Sequence, residues 1–401
     1  GKTTGARFNS LTSTMSLPSS LWNHGTAVNN GYTYVVGGIN GTTPQATVYW
    51  SKFNKTNYTI EAPNPGAGAC ASWCTNSAYN LPAARYGMSL VSYNGYLYVM
   101  GGLDSGGTRT NTVYIAKLGA NGEPQLWHPT DTNQNNWVYW YSSATTLSTA
   151  RSYTAAVAYN NRMYLMGGST AAATGGVTTV EYSNIAPYGD LGSWSSTGMT
   201  ALPSVRFGHA AQVYNNRIYV MGGNSNGTLQ STVQYIKLNT DGTMVSSWAS
   251  AMDFTTARMS WGGNFSTIWG GYIYIMGGCA AIDAEGECTG TGITNGGSIE
   301  LASINADGSI AFWGAISNVT NAKIGYGLVG WRNTIYTIGG CTAQNTTTGA
   351  CTTATTGTTY GIINQDGDAS TTGTSVASGT APCSGSDPVE CNLPGTTYIG
   401  N

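Results

Sequence analysis

Along this chain, short apolar runs break off at pairs of glycines. The stretch YNNRIYVMGGNSNGT, Tyr214 to Thr228, packs Ile218, Tyr219 and Val220 ahead of Gly222-Gly223 and then turns polar. Aromatic and β-branched residues suit the pleat, and adjacent glycines permit positive φ, so the pattern predicts a buried strand ending in a turn. Near copies read NGYTYVVGG, YNGYLYVMGG, YNNRMYLMGG, WGGYIYIMGG and WRNTIYTIGG, with doublets at Gly37-Gly38, Gly101-Gly102, Gly167-Gly168, Gly277-Gly278 and Gly339-Gly340. First glycines are separated by 64, 66, 55, 55 and 62 residues, so one supersecondary unit is written six times.

The fourth copy shows the whole unit. VRFGHAAQVYNN predicts one strand, RIYVMGG a second, STVQYIKLN a third, and TDGTMVSSW a turn and a fourth. Asp241-Gly242 marks the hairpin between the last two; GANGEPQLW (Gly119 to Trp127), NADGSIAFW (Asn305 to Trp313) and YGDLGSW (Tyr188 to Trp194) are its counterparts. Four short antiparallel strands cannot bury both faces alone, but radially packed sheets cover one another, which predicts an all-β propeller.

The glycine doublet, an aromatic in the third strand (Tyr235, Tyr114, Tyr182) and a tryptophan in the fourth (Trp248, Trp127, Trp194, Trp313) resemble the kelch motif. Six copies cover nearly everything outside the last thirty or so residues, with long insertions and an irregular fourth strand around Trp73 as departures. The expected fold is a six-bladed kelch-type β-propeller over residues 1–368, with a tail at 369–401; seven blades follow if that tail hides a degenerate unit. The sixth copy lacks a tryptophan strand. GARFNSLTSTMSLP (Gly5 to Pro18) resembles IAFWGAISNVTNAK (Ile310 to Lys323), with Phe8 for Trp313, so the N-terminal strand is expected to close the last blade.

Composition narrows the setting. Charged residues are 8% of 401 and formal net charge is −2, which removes the basic footprint of a nucleic-acid binder. No run of about twenty apolar residues spans a bilayer, and the chain starts at Gly1 without a leader. Eight cysteines fall in close couples, most simply Cys70–Cys74, Cys279–Cys288, Cys341–Cys351 and Cys383–Cys391; their spacings do not suit zinc. Local disulfides imply an oxidising compartment, hence an extracellular or cell-surface location. Seven Asn-x-Ser/Thr sequons, at Asn40, Asn54, Asn57, Asn226, Asn264, Asn318 and Asn345, permit glycosylation where the machinery exists.

Sixteen residues before the first glycine stand Arg85, Arg151, Arg206 and Lys323; Arg258 stands nineteen before its own, and the first copy has Leu21. One reading is a partial cationic ring around the central opening, suited to an anionic ligand. The other has each arginine bond loop carbonyls and brace the ring. The kelch resemblance implies both: bracing as a general pattern, and gripping of acidic peptides in some members. Tyr86, Phe207, Trp22 and Trp261 adjoin the same loops and are candidates for stacking on a sugar or peptide. Asp283, Glu285 and Glu287 alternate within one disulfide loop and suggest calcium, without the spacing of an EF-hand; no other cofactor is expected.

The histidines, His24, His128 and His209, are too few for a copper oxidase of the kelch type, and no phosphate loop or dinucleotide fingerprint is present. The expected function is therefore recognition of a glycan or protein ligand on another cell or surface, resembling bacterial extracellular kelch proteins. The alternatives are a subunit of a surface filament or layer, self-assembling through the N-terminal segment or the tail, and a kelch-type sugar mutarotase.

Overall fold

The computed structural model describes residues 10–63, 70–171, 174–262, 264–284, 286–316 and 321–363. Among these residues six antiparallel sheets of three to five strands form, one per glycine doublet, beside three two-stranded hairpins. Blade 1 holds Gly25–Asn29, Tyr32–Val36, Val48–Phe53 and Ile60–Glu61, from inner to outer edge. Blade 4 repeats the plan with Ala210–Tyr214, Arg217–Met221, Val233–Lys237 and Ala249–Ser250. Its first hairpin turns on Asn215 and Asn216, both at positive φ (45° and 53°), the geometry a two-residue hairpin demands.

Apolar packing lies between blades rather than inside one body. Six buried clusters fill the six junctions; that between blades 3 and 4, for example, joins Tyr164, Met166 and Val180 to Val213, Ile218 and Val220. The ring closes as expected: Thr12–Thr14 adds to the outer edge of blade 6, pairing with Thr358–Ile362 through Thr12↔Tyr360. That pairing occupies Thr12–Thr14 within their own ring. Phe8, the tail at 369–401 and Cys383–Cys391 lie outside the described residues.

Several local expectations shift. Trp127 does not sit on the outer strand of blade 2, because residues 126–140 make an excursion that splits that strand into Pro124–Gln125 and Tyr141–Ser142. Register places Trp140 where Trp194, Trp248 and Trp313 stand in their blades, and its indole donates to Tyr79 O (2.7 Å), as Trp313 donates to Met252 O. Trp73 takes the position in blade 1, beside the Trp50↔Cys74 bridge, and Leu11 takes it in blade 6, where Phe8 was expected. Likewise Ile115, not Tyr114, aligns with Tyr182 and Tyr235, since each opposes the tyrosine of the second strand.

The one α-helix among the described residues, Gly290–Gly296, has a composition that argues against helix. Close packing overrides propensity there. A Cβ at Gly296 would lie 1.9 Å from Gly278 O, and one at Gly292 2.2 Å from Ala281 O, so only glycine lets the helix settle on that loop.

Two repeated bonds join the blades. The second glycine of every doublet donates its N–H to the first residue of the next blade: Gly38 to Arg85 O, Gly102 to Arg151 O, Gly168 to Arg206 O, Gly223 to Arg258 O, Gly278 to Lys323 O and Gly340 to Leu21 O, all at 2.8–2.9 Å. A tyrosine stands three residues before each first glycine, and five of the six reach the outer hairpin of the following blade. Tyr34, Tyr98, Tyr164 and Tyr219 donate to Gly122, Gly189, Gly242 and Gly308 O at 2.8–2.9 Å, and Tyr336 closes the circle on Tyr58 O at 2.7 Å. Burial raises every one of these phenols, so they stay donors.

His24 and His209 occupy equivalent junctions, between blades 6 and 1 and between blades 3 and 4. Each imidazole lies against the preceding blade's first glycine. Burial pulls His24 down to about 4, and burial with the adjacent Arg206 pulls His209 to about 3.

Two expectations follow. Tyr219→Phe leaves the Gly308 carbonyl buried without its donor and costs about 1–3 kcal/mol in denaturant unfolding; a change within error would remove that bond from the set that holds the ring. Below pH 6.5 the unfolded chain takes up protons that the folded histidines refuse. Stability is therefore complete above that value and declines toward pH 4 and below, by on the order of 3 kcal/mol per histidine. Chemical denaturation at pH 7 and 4.5 reads this, with His209→Met losing part of the slope; equal midpoints at both pH values contradict it.

Candidate binding face

Loops that join second to third strands, and each blade to the next, emerge on one face around the axis. That face is closed. Backbone bonds run from blade to blade at its centre: Asn23 N–H to Gly325 O (2.7 Å), Gly87 to Asn23 O (3.1 Å), Tyr153 to Gly87 O (2.8 Å), Gly208 to Tyr153 O (2.9 Å) and Ser260 to Gly208 O (2.9 Å). The insertion of blade 5 then crosses over, where a Cβ on Gly262 would lie 3.2 Å from Asn23 Cα and 3.3 Å from Gly87 Cα. Beneath lies an axial cavity of about 160 Å³, whose wall includes Ser89, Thr154, His209, Gln212 and Ser266.

The expected cationic rim is absent at the arginines. Arg85, Arg151, Arg206 and Arg258 are 0–2% exposed, and their guanidinium groups turn into their own blades. Arg151, Arg206 and Arg258 each bond the carbonyl of the first glycine, Gly167 (2.8 Å), Gly222 (2.9 Å) and Gly277 (3.2 Å). The third strand supplies the rest: Tyr114 for Arg85, Glu181 for Arg151, Gln234 for Arg206 and Glu300 for Arg258. Glu300 also accepts from Thr255 and Thr256 N–H, so the buried charge of Arg258 has a fully bonded counter-ion. These arginines brace blades. Lys323 holds the matching place in blade 6, half-buried, and burial draws its ammonium down to about 8.

A buried cap covers the sealed mouth, built from Trp22, Phe207, Met259, Ile293 and the disulfide sulfurs of two loops. Trp22 and Phe207, expected as stacking platforms, are 5% and 2% exposed and pack inside it. Tyr86 and Trp261 remain half-exposed, and Tyr153 joins them, its ring edge-on to Trp261 at 5.4 Å between centroids.

Arg109 borders the tyrosines and is fixed by its bonds to Ser169 O (3.0 Å) and Ala171 O. Burial raises the Tyr86 phenol, with Asp104 adding and Arg109 opposing. Burial also raises Tyr153, which feels Tyr86, Arg109 and Glu287. The Glu287 carboxyl is pushed up by burial and by Asp283. Tyr153, Arg109 and Asp104 escaped the sequence analysis because they match no repeat position of common chemistry.

Cys70–Cys74, Cys279–Cys288 and Cys341–Cys351 are joined as expected. The last two loops clasp each other: Gln344 accepts from Cys288 N–H (3.0 Å) and donates to Glu287 Oε2 (2.8 Å). Asp283 Oδ1 accepts from Glu287 N–H (2.8 Å), so the acids named for calcium work as turn and clasp residues, and Glu285 lies outside the described residues. Among the described residues, no three His, Cys, Asp or Glu come together as metal ligands. None of their helices is long and apolar enough to cross a membrane.

A model of the Kelch motif matches residues 84–115 and 206–241, which carry blades 2 and 4 from their first strand into their third. No curated protein matches the chain. Among solved structures, one titled "Structure of YjhT" is similar over 86% of this chain and 95% of that one, with TM-score 0.56 and 15% identity, a likeness of fold alone. The chain is a six-bladed β-propeller closed by its own N-terminal strand, and blades 2 and 4 carry kelch motifs.

Proposed function

We propose that this propeller is an extracellular recognition protein that binds a glycan across the half-exposed aromatic group of Tyr86, Tyr153 and Trp261. Tyr153 carries the reading. It sits in the left-handed region at φ 54°, at a place where blades 2, 4 and 6 use Gly87, Gly208 and Gly325. A bulky residue there costs on the order of 1–2 kcal/mol that glycine avoids, and retained strain of this kind clusters at functional positions. Aromatic faces suit the C–H side of sugar rings, while Arg109, Asp104 and Glu287 offer donors and acceptors of both signs for hydroxyls. The platform is rigid, because a sealed mouth underlies it and two disulfide loops clasp beside it, which lowers the ordering cost of binding. Three disulfides among the described residues support an oxidising location.

A second reading is chemical. Burial and Asp283 push up the Glu287 carboxyl, which lies within electrostatic reach of Tyr153, and a raised carboxyl suits general acid–base work.

Tyr153→Gly separates binding from folding. It restores the residue the backbone prefers, so thermal stability stays level or rises, while glycan binding on an array falls at least about tenfold; Trp261→Ala behaves alike in binding. Undiminished binding in both variants would sink the recognition reading. Sugar-anomer exchange followed by NMR tests the chemical one: exchange faster than buffer, lost in Glu287→Gln, is its expected result, and buffer-rate exchange in the native protein ends it.

A further inference from the structure

The inner strands of all six blades wall the axial cavity beneath the sealed mouth, and none of the described residues that line it is Lys, Arg, Asp or Glu. An ion moved into it meets no counter-charge, so the cavity is suited to neutral molecules. Its wall has two unlike sides.

The polar side runs from blade 4 through blades 5 and 6 to blade 1. Gln212 Nε2 donates to Ser266 O (2.9 Å) and Oγ (3.2 Å), which leaves Gln212 Oε1 as an acceptor without a partner among the described residues. Thr267 follows Ser266, and its hydroxyl lies against blade 6, where a Cβ on Gly330 would come 2.9 Å from Oγ1. Thr26 approaches the same strand from blade 1, where a Cβ on Gly327 would come 2.8 Å from its Oγ1. Glycine at both places lets the two hydroxyls flank that strand. Neither has a hydrogen-bond partner among the described residues. Gln212 and Thr267 are only 8% and 9% exposed. All three oxygens are unpartnered without being enclosed by protein atoms, so each faces the space that its residue lines.

The apolar side comes from blades 2 and 3. Leu90 pairs with Val99 and Ala156 with Leu165, the register place that Thr26 holds opposite Val35. These three side chains stay half-buried at the centre of the ring because they border the cavity, and Val91 and Val157 continue the wall. A cavity of about 160 Å³ takes a molecule of about six non-hydrogen atoms, since one of about 150 Å³ holds benzene.

We propose that the axial cavity binds a small neutral diol, with hydroxyls toward Gln212, Thr26 and Thr267 and its carbon chain against Leu90 and Ala156. One hydroxyl donates to Gln212 Oε1, and the other exchanges hydrogen bonds with the two threonines. A hydrocarbon would leave three oxygens unmet, whereas water alone would leave the apolar side wetted. The loop face is stitched shut, and among the described residues no backbone bond joins neighbouring inner strands at the far end, so the diol enters there. The cavity uses none of the aromatic group's residues, and the two proposals stand or fall separately.

The test uses the full chain and (R)-propane-1,2-diol, titrated by saturation-transfer NMR. Saturable binding in the millimolar range is expected, as a ligand of about five non-hydrogen atoms allows. Propionate, equal in size but charged, gives no saturable signal. Tyr153→Gly binds the diol as the native chain does, and in that variant myo-inositol, neutral but too large, does not bind. Thr26→Val keeps the side-chain shape without the hydroxyl and weakens the diol about tenfold. Leu90→Phe fills the space and abolishes binding; should it fail to fold, Thr26→Val decides. The proposal is overturned by no saturation up to about 0.1 M diol, by equal binding of propionate, or by unchanged affinity in either variant that folds. Loss of diol binding in Tyr153→Gly also overturns it, since the signal would then belong to the aromatic group.

Discussion

Every blade hangs on its neighbour through one backbone bond, from the second glycine of a doublet to the carbonyl that begins the next blade. The bond needs the chains nearly in contact. A Cβ on Gly37 would come 2.2 Å from Arg85 O, and one on Gly167 2.4 Å from Arg206 O, so neither glycine has a substitute. The strut arginine belongs to the same device. Its carbonyl receives the neighbour's N–H while its guanidinium holds the first-glycine carbonyl of its own blade, in blades 3, 4 and 5. In those three blades one residue therefore ties two successive doublets, while the backbone bond recurs at all six junctions and sets the curvature of the ring.

The fold was legible because the device is periodic. Doublets, hairpin Asp-Gly pairs and counted-back cations recur at fixed offsets, and the N-terminal likeness to Ile310–Lys323 pointed to the closing strand. The misreadings arose where insertions break the offset. Trp127 was taken for the outer tryptophan of blade 2 because it follows the hairpin at the usual distance, whereas the excursion at 126–140 hands that place to Trp140. The tyrosine struts were in plain view three residues before each doublet. Nothing in one copy says that a tyrosine points at the next blade.

The site was less legible, for a physical reason. A sequence shows which residues a loop carries, not whether the mouth it surrounds is open. The arginines had the right spacing for a rim, but third-strand partners 28 to 42 residues away turn them inward. The face then becomes a platform instead of a funnel. Its character comes from non-periodic residues: Tyr153 against glycine counterparts, Arg109 from a loop of blade 2, Glu287 from a disulfide loop of blade 5. Lys323 stands apart as the strut whose partner position holds threonine.

The closing strand has a consequence for how this molecule comes into being. Thr12–Thr14 emerge from the ribosome long before their partners Thr358, Thr359 and Tyr360. Until then the nascent arc has two bare flanks, and its most distant pairing waits on the largest loop closure in the chain. Anything that masks Thr12–Thr14 during synthesis therefore acts on the sixth blade before the first.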